Sequence, residues 1–168
     1  MCAAAVMSRI AATVYAIERH APLVAAAQRR IDNLGYDNIE LRIGDGTQGW
    51  PEAAPFDVIL VAASGPDVPC MLKEQLAIGG RLVMPVDQQR FGQRLRKIAR
   101  RSATDYEEQD LGRVAFVPLI GEQGWAENGR RAAIHQAPGQ APPEMIAETS
   151  EALRGVRCPG TRPDAMTK

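Results

Sequence analysis

Residues 56–63 read Phe-Asp-Val-Ile-Leu-Val-Ala-Ala, and this stretch decides the fold class. Its centre, residues 58–61, is an unbroken and mostly β-branched apolar run, with Pro55 before the stretch and Ser64-Gly65-Pro66 after it. An apolar run without alternation is typical of a strand that is covered by helices on both faces, as in parallel α/β sheets. In such sheets ligands bind at the carboxyl ends of the strands, so those ends are where a site is expected.

Two further predicted strands end in residues that suit a ligand. Residues 13–17 precede Glu18, and residues 39–43 precede Gly44-Asp45-Gly46. An Ala-rich helix over residues 2–12 precedes the first of these strands, and a helix from Pro22 to a left-handed cap at Gly35 separates the two. The three strand ends are therefore predicted to converge on one crevice.

In the second half of the chain the alternation of predicted strands and helices ends. A short helix over residues 69–76 leads through a tight Gly79-Gly80 turn into a strand over 81–86. Strands then follow over 93–100, 106–111 and 114–120 with no helix between them. This order predicts a mostly parallel, doubly wound sheet that ends in an antiparallel hairpin.

The composition shifts to Arg, Ala, Pro and Gly near position 128. We therefore predict a domain over residues 1–126 and a C-terminal extension over 127–168. The extension is expected to form one helix over 143–153 and a disordered tail.

Composition and charge narrow the function classes. The 168 residues are 45% hydrophobic and 24% charged, with a formal net charge of zero. Neither a nucleic-acid partner nor a membrane-surface partner is indicated, and the basic residues within 90–101 are interpreted as a solvated face balanced by acids. The three cysteines form no metal-ligand spacing, which fits a reducing cytoplasm. No apolar run reaches the ~18 residues of a spanning helix.

Each candidate site residue has a functional and an ordinary interpretation. A carboxylate at Glu18 can accept both hydroxyls of an adenosine ribose, or it can simply be solvated at a strand end. Asp45 can accept from an adenine amino group, with Gly46 allowing close approach of the ring, although Asp-Gly is also a common turn. Ala62, Ala63 and Ser64 could border a reacting centre or could pack as any strand end does.

Several blocks of sequence together are more specific than any single residue. In order they are VYAIER (14–19), NLGYDN (33–38), GDGTQGW (44–50), APFDVILVAA (54–63), QLAIGGRLVMPV (75–86) and VAFVPLIGEQGW (114–125). Over residues 2–126 the chain resembles the protein-L-isoaspartate (D-aspartate) O-methyltransferase family. The resemblance implies a Rossmann-like methyltransferase fold, S-adenosyl-L-methionine as cofactor, and methyl transfer to the carboxylate of L-isoaspartyl residues in damaged proteins.

The resemblance also assigns roles to particular positions. Glu18 would bind the cofactor ribose, with Arg19 as a further cofactor-binding position, and Asp45 with Gly46 would bind the adenine. Residues 62–64 would border the isoaspartyl-containing protein or peptide, and no metal is implied. Because a carboxylate is already ionised at neutral pH, its methylation needs no general base. The absence of a nucleophilic His or Cys therefore does not count against the assignment.

The chain departs from the family pattern at its beginning. The family's first strand, its glycine-rich cofactor loop and an upstream Ser/Thr motif have no counterpart in these residues, so catalytic residues cannot be assigned. The strand over 13–17 and the strand over 56–63 are expected to lack their shared neighbour, and these 168 residues are expected to transfer methyl groups weakly or not at all. Three explanations of this departure compete. Either the start is placed too far downstream in the sequence, or the chain is a non-catalytic remnant, or the gap is filled by another chain or by direct re-pairing of the two strands.

Two other functions are kept open. A non-catalytic interaction module that self-associates through exposed sheet edges is the first alternative. A nicotinamide oxidoreductase is the second, because an acid that binds ribose serves either cofactor, although the antiparallel ending over 93–120 favours the methyltransferase fold.

Overall fold

The computed structural model describes residues 2–88 and 92–128. The predicted extension therefore lies outside the described residues, apart from positions 127 and 128. The elements in chain order are α1 (Cys2–Met7), β1 (Val14–Glu18), α2 (Ala21–Leu34), β2 (Ile39–Ile43), β3 (Phe56–Leu60), α3 (Cys70–Glu74), β4 (Leu76–Gln88), β5 (Gly92–Arg100) and β6 (Tyr106–Arg113). None of the helices described is long and apolar enough to cross a membrane.

The first part of the chain folds into a βαβ unit built from β1, α2 and β2. The two strands pair in parallel, with Val14 opposite Ile39. Helix α2 starts with Pro22 in its first turn and ends at Gly35, whose φ of 69° is the predicted left-handed cap. The cap is closed by the Tyr36 N–H, which donates to the Ile31 carbonyl at 3.1 Å. The sequence prediction of these three elements is confirmed to within a residue or two.

Helix α1 is shorter than its predicted span of residues 2–12, since it ends at Met7. The side-chain amide of Asn38 donates to the carbonyls of Ser8 and Ala11, at 2.9 and 3.1 Å. A side chain from outside the helix thus binds the carbonyls that another turn would have used. Propensity alone could not indicate this long-range cap.

The second part of the chain forms a four-stranded sheet in the order β3-β4-β5-β6. Strand β4 pairs in parallel with β3 and antiparallel with β5, and β5 pairs antiparallel with β6, so the predicted antiparallel ending is confirmed. One face of this sheet and α3 enclose a buried apolar cluster. Its members are Leu72, Leu76, Leu82, Met84, Val86 and Ile98.

Strands β1 and β3 belong to separate sheets, as expected for two strands that lack a shared neighbour. The prediction that β3 is covered on both faces is wrong for the described residues. Ile59 packs against the core cluster, whereas Val58 and Leu60 on the opposite face are 45% and 49% exposed. Side chains alternate between the faces of a strand, so an apolar run shows only that both faces are apolar.

Two other predicted boundaries are also corrected. Gly79 and Gly80 do not form a turn before a new strand; they lie inside β4, which starts at Leu76. There the register against β3 shifts, and a Cβ on Gly80 would lie 2.8 Å from the Phe56 carbonyl oxygen, so the chain bulges where only glycine fits.

Residues 114–120, predicted as a strand, make only isolated bridges, one of them between Pro118 and Ser64. The segment pairs with a single residue beyond the end of β3, and Pro118 has no N–H with which to extend a ladder.

The basic stretch of β5 is neutralised across the hairpin by β6. Arg94 pairs with Asp110 at 2.8 Å, Arg96 with Glu108 at 3.3 Å, and Arg101 with Glu107. Three basic residues of this stretch are therefore balanced by acids on β6, and the interpretation of the stretch as a solvated face stays a prediction.

One of these pairs carries a testable pH dependence. The Arg94 side chain, and then the Gly112 backbone N–H, donate to Asp110 and hold the pKa of its carboxyl below the usual 3.8. A folded-state pKa below the unfolded-state pKa contributes stability that is fully present above the unfolded-state pKa and disappears as the pH falls through the folded-state pKa. We expect Asp110→Asn to lower the thermal midpoint slightly at pH 7 and to have a progressively smaller effect as the pH falls below 3.8. Thermal melting curves across this pH range measure the effect. In an Arg94→Gln background the effect of Asp110→Asn on the midpoint at pH 7 should be smaller. An undiminished effect in that background would contradict the Arg94 hydrogen bond as its cause.

Candidate functional site

The carboxyl ends of β1 and β2 lie side by side and bring two predicted carboxylates to one edge of the sheet. The backbone N–H of Gly44 donates to the Glu18 carbonyl oxygen at 3.1 Å, which holds the two chain exits together. Glu18 is the last residue of β1, and Asp45 follows β2 by two residues. This is the edge at which open α/β sheets bind ligands.

Glu18 has one carboxylate oxygen engaged. Its Oε1 accepts the His20 backbone N–H at 3.0 Å, and among the described residues no donor is assigned to Oε2. The neighbouring Arg19 side chain forms an ion pair with Glu127 at 2.6 Å. Of these two predicted cofactor-binding residues, Glu18 therefore has an oxygen open to a ligand, whereas the Arg19 side chain is paired with Glu127 of the same chain.

The Asp45 carboxylate organises its own loop. Its Oδ1 accepts both the Thr47 backbone N–H and the Thr47 hydroxyl, each at 2.8 Å. Its Oδ2 accepts the Glu122 backbone N–H at 2.7 Å from a segment 77 residues away in the chain. A carboxylate can accept about four hydrogen bonds, so room for one more donor remains. Around Gly46 the space is open, since an added Cβ would meet nothing nearer than Leu119 Cδ1 at 4.0 Å.

The three residues after β3 differ in their exposure. Ala62 is exposed and Ala63 half-buried, while Ser64 is 1% exposed. The Ser64 backbone pairs with Val117 and Leu119, and its buried hydroxyl has no hydrogen-bond partner among the residues that the structure describes. Only the two alanines of this predicted peptide-side group present a side chain to solvent.

Two buried polar residues that shape the site were missed in the sequence. Thr47 is fully buried beside Asp45, and Gln75 is 6% exposed and hydrogen-bonded to the backbone of Gln48 and Trp50. A signal for Thr47 does exist, because Asp followed two residues later by Thr is a common side-chain-capped turn. No local signal points to Gln75, whose partners lie more than twenty residues earlier.

The groups available to a ligand at this edge are carboxylates, backbone groups and small side chains. In the described stretches 2–88 and 92–128, no three His, Cys, Asp or Glu residues are grouped as a metal would require. The arrangement can accept hydrogen bonds from hydroxyl and amino groups of a ligand. It offers no nucleophile with an adjacent base.

Comparison with known proteins identifies the family. The sequence profile of the protein-L-isoaspartate(D-aspartate) O-methyltransferase (PCMT) family matches residues 2–128. The chain belongs to this family. The resemblance noted in the sequence is thereby confirmed.

Individual PCMT relatives match over the same region. The protein-L-isoaspartate O-methyltransferase of Brucella anthropi is 50% identical over 125 residues, which are 74% of this chain and 58% of the relative. The enzyme of Pelotomaculum thermopropionicum is 53% identical over 123 residues, 73% of this chain and 53% of the relative. The chain thus spans little more than half the length of these relatives.

Solved PCMT structures share the fold. A structure titled protein-L-isoaspartate O-methyltransferase superposes with a TM-score of 0.67 at 29% identity, covering 72% of this chain and 39% of the other. A PCMT from Plasmodium falciparum, in complex with S-adenosyl-L-homocysteine, gives 0.57 at 27% identity and covers 64% and 52%. The predicted Rossmann-like methyltransferase fold is confirmed.

Proposed function

We propose that this protein takes part in S-adenosyl-L-methionine-dependent methyl transfer to the carboxylate of L-isoaspartyl residues in damaged proteins. Membership of the PCMT family supports the reaction class. The observation that carries the proposal is the hydrogen bond from Gly44 to Glu18, which holds two ligand-accepting carboxylates at the carboxyl edge of adjacent parallel strands.

The polar groups at this edge fit the nucleoside part of the cofactor. The free oxygen of Glu18 would accept the ribose hydroxyls, and the remaining acceptor position of Asp45 would accept the adenine amino group. The open space at Gly46 suits a ring lying against the backbone. When bound, S-adenosyl-L-methionine supplies an electrophilic methyl group.

The protein side of the reaction needs positioning rather than proton transfer. The isoaspartyl carboxylate is ionised at neutral pH and is its own nucleophile, so alignment and exclusion of water supply the rate. The exposed Ala62 and half-buried Ala63 leave room for a peptide beside the end of β3. Isoaspartyl-containing proteins or peptides are therefore the proposed partners.

A second candidate, self-association without catalysis, has one observation in its favour. Val58 and Leu60 expose about half of their side-chain surface on one face of β3, and β1 and β3 lie in separate sheets. Exposed apolar faces and unpaired edges are association surfaces. Under this candidate, residues 1–168 taken alone transfer methyl groups weakly or not at all, and sedimentation at increasing concentration reveals self-association.

Calorimetric titration of the 168-residue chain with S-adenosylhomocysteine tests the cofactor site. We expect binding that Glu18→Ala weakens by about 1–3 kcal/mol, the range for a hydrogen bond to a charged group. Glu40→Ala is the matched control, because Glu40 is an exposed carboxylate within β2, away from the strand end, and its loss should leave the affinity unchanged.

Two results would refute this assignment. One is equal affinity of the wild type and Glu18→Ala, and the other is no binding by a wild-type chain whose far-ultraviolet circular dichroism shows it to be folded. If binding is found, methylation of an isoaspartyl peptide, with the aspartyl peptide as control, tests the reaction itself.

A further inference from the structure

Residues 117–127, called here the strap, contact the chain exits of β1, β2 and β3. At the β3 exit the Ser64 N–H donates to the Val117 carbonyl and the Ser64 carbonyl accepts the Leu119 N–H, both at 2.8 Å. The indole Nε1–H of Trp125 donates to the same Ser64 carbonyl at 2.9 Å. Three hydrogen bonds therefore fasten the strap to one almost fully buried residue.

The strap is fastened to the Asp45 loop as well. The Glu122 N–H donates to Asp45 Oδ2 at 2.7 Å, and the Gln123 N–H donates to Thr47 Oγ1 at 3.2 Å. Since the same Thr47 hydroxyl donates to Asp45 Oδ1 at 2.8 Å, it bridges the carboxylate and the strap. Thr47 is 0% exposed, so no water can replace these bonds without opening the loop.

The strap between these two attachments is a closed turn. The Trp125 N–H donates to the Leu119 carbonyl at 2.8 Å, and the Gly121 N–H donates to the Trp125 carbonyl at 3.1 Å. A Cβ on Gly124 would lie 2.3 Å from the Leu119 carbonyl oxygen, so the turn is tight enough to require glycine there. Beyond it, Glu127 reaches Arg19 next to the β1 exit. A closed turn transmits a displacement from one attachment to the other.

We propose that Thr47 and the strap form one positioning unit that couples the nucleoside end of the site, at Asp45, to the peptide end, at Ser64. This coupling rests on the proposed function, since it uses the nucleoside and peptide positions proposed above. Because β1 and β3 belong to different sheets, the strap connects the two halves of the site by hydrogen bonds. A nucleoside that donates a hydrogen bond to Asp45 therefore reduces local opening of the strap at Ser64. Conversely, a substitution that breaks the strap's hydrogen bonds weakens nucleoside binding.

Amide hydrogen exchange of the ligand-free 168-residue chain tests the coupling without any ligand. Thr47→Val keeps the side-chain shape and deletes the hydroxyl, whereas Thr47→Ser keeps the hydroxyl. We expect Thr47→Val to speed exchange at Gln123, and also at the distant Leu119 and Ser64 amides, by roughly tenfold, corresponding to about 1.4 kcal/mol. Thr47→Ser should restore wild-type rates at all three amides. Faster exchange confined to Gln123 would overturn the proposal.

The second variant works from the other end of the strap and guards against global unfolding. Trp125→Phe keeps an aromatic ring and removes the donor to Ser64, and reciprocity of coupling requires faster exchange at Glu122 and Gln123. Met84 in the buried core reports global opening and should exchange at the wild-type rate in both variants. Unchanged exchange at Glu122 and Gln123 in Trp125→Phe would contradict a single unit.

Titration with S-adenosylhomocysteine separates this inference from the proposed function. We expect the ligand to slow exchange at Ser64 and Leu119 in the wild type, and its dissociation constant to rise roughly threefold to tenfold in Thr47→Val but not in Thr47→Ser. If no variant binds the ligand, the proposed cofactor site fails, while the ligand-free exchange rates still decide whether the strap is one unit. If the ligand binds equally to all variants, the coupling is refuted and the cofactor site stands.

Discussion

Leu82→Ala is expected to lower the free energy of unfolding by about 2–5 kcal/mol, the range for emptying a leucine site in a core. Leu82 is 0% exposed in the middle of β4, opposite Ile59 on β3 and Ile98 on β5. Strand β4 is central to this part of the sheet, so backbone pairing on both sides restricts collapse around the cavity. Urea unfolding followed by circular dichroism measures the change.

The matched control for this core substitution is Leu111→Ala. Leu111 lies on the edge strand β6 and is 46% exposed, so the same side-chain truncation removes much less buried surface. We expect a change below about 1 kcal/mol there. Equal losses for the two leucines would mean that β4 is not the centre of the core.

Gln75→Leu is expected to lower the free energy of unfolding by about 2–4 kcal/mol, because it leaves two backbone groups without partners. The Gln75 amide donates to the Gln48 carbonyl and accepts the Trp50 N–H, both at 2.8 Å, and so holds the loop that follows Asp45. The contact is close, since a Cβ on Gly49 would lie 2.3 Å from Gln75 Oε1. Leucine has a similar volume, so the loss reports the hydrogen bonds and not a cavity.

Gln93→Leu provides the control for Gln75→Leu. The Gln93 side chain makes the same two kinds of bond, to the Phe116 carbonyl at 3.0 Å and from the Phe116 N–H at 2.6 Å, but in a solvent-exposed position. Water can take over both bonds there, so a loss below about 1 kcal/mol is expected. The two variants are compared by the same urea titration, and a larger loss for Gln93→Leu would contradict burial as the cause.

Local sequence patterns predicted most of the regular elements because their signals are short in range. Pro22 and Gly35 delimit α2, and the apolar run over residues 58–61 indicates β3. The absence of helical spacing after residue 92 indicates the hairpin of β5 and β6. The predictions were wrong where contacts with residues distant in the sequence decide the local structure. One case is the bulge in β4 against Phe56. The other is residues 114–120, which have no full-length partner strand among the described residues.

For the candidate site, the sequence by itself determined the residue types at the strand ends, Glu18 and Asp45, and the family whose pattern they fit. Chain order is enough for this, because parallel strands bring their carboxyl ends to one edge. Only the tertiary structure decided that Asp45 and Thr47 hold a strap from residues 117–127, through bonds that span more than seventy positions. Such bonds depend on where two turns that are far apart in the sequence meet in the folded chain, and no local propensity or periodicity encodes that meeting.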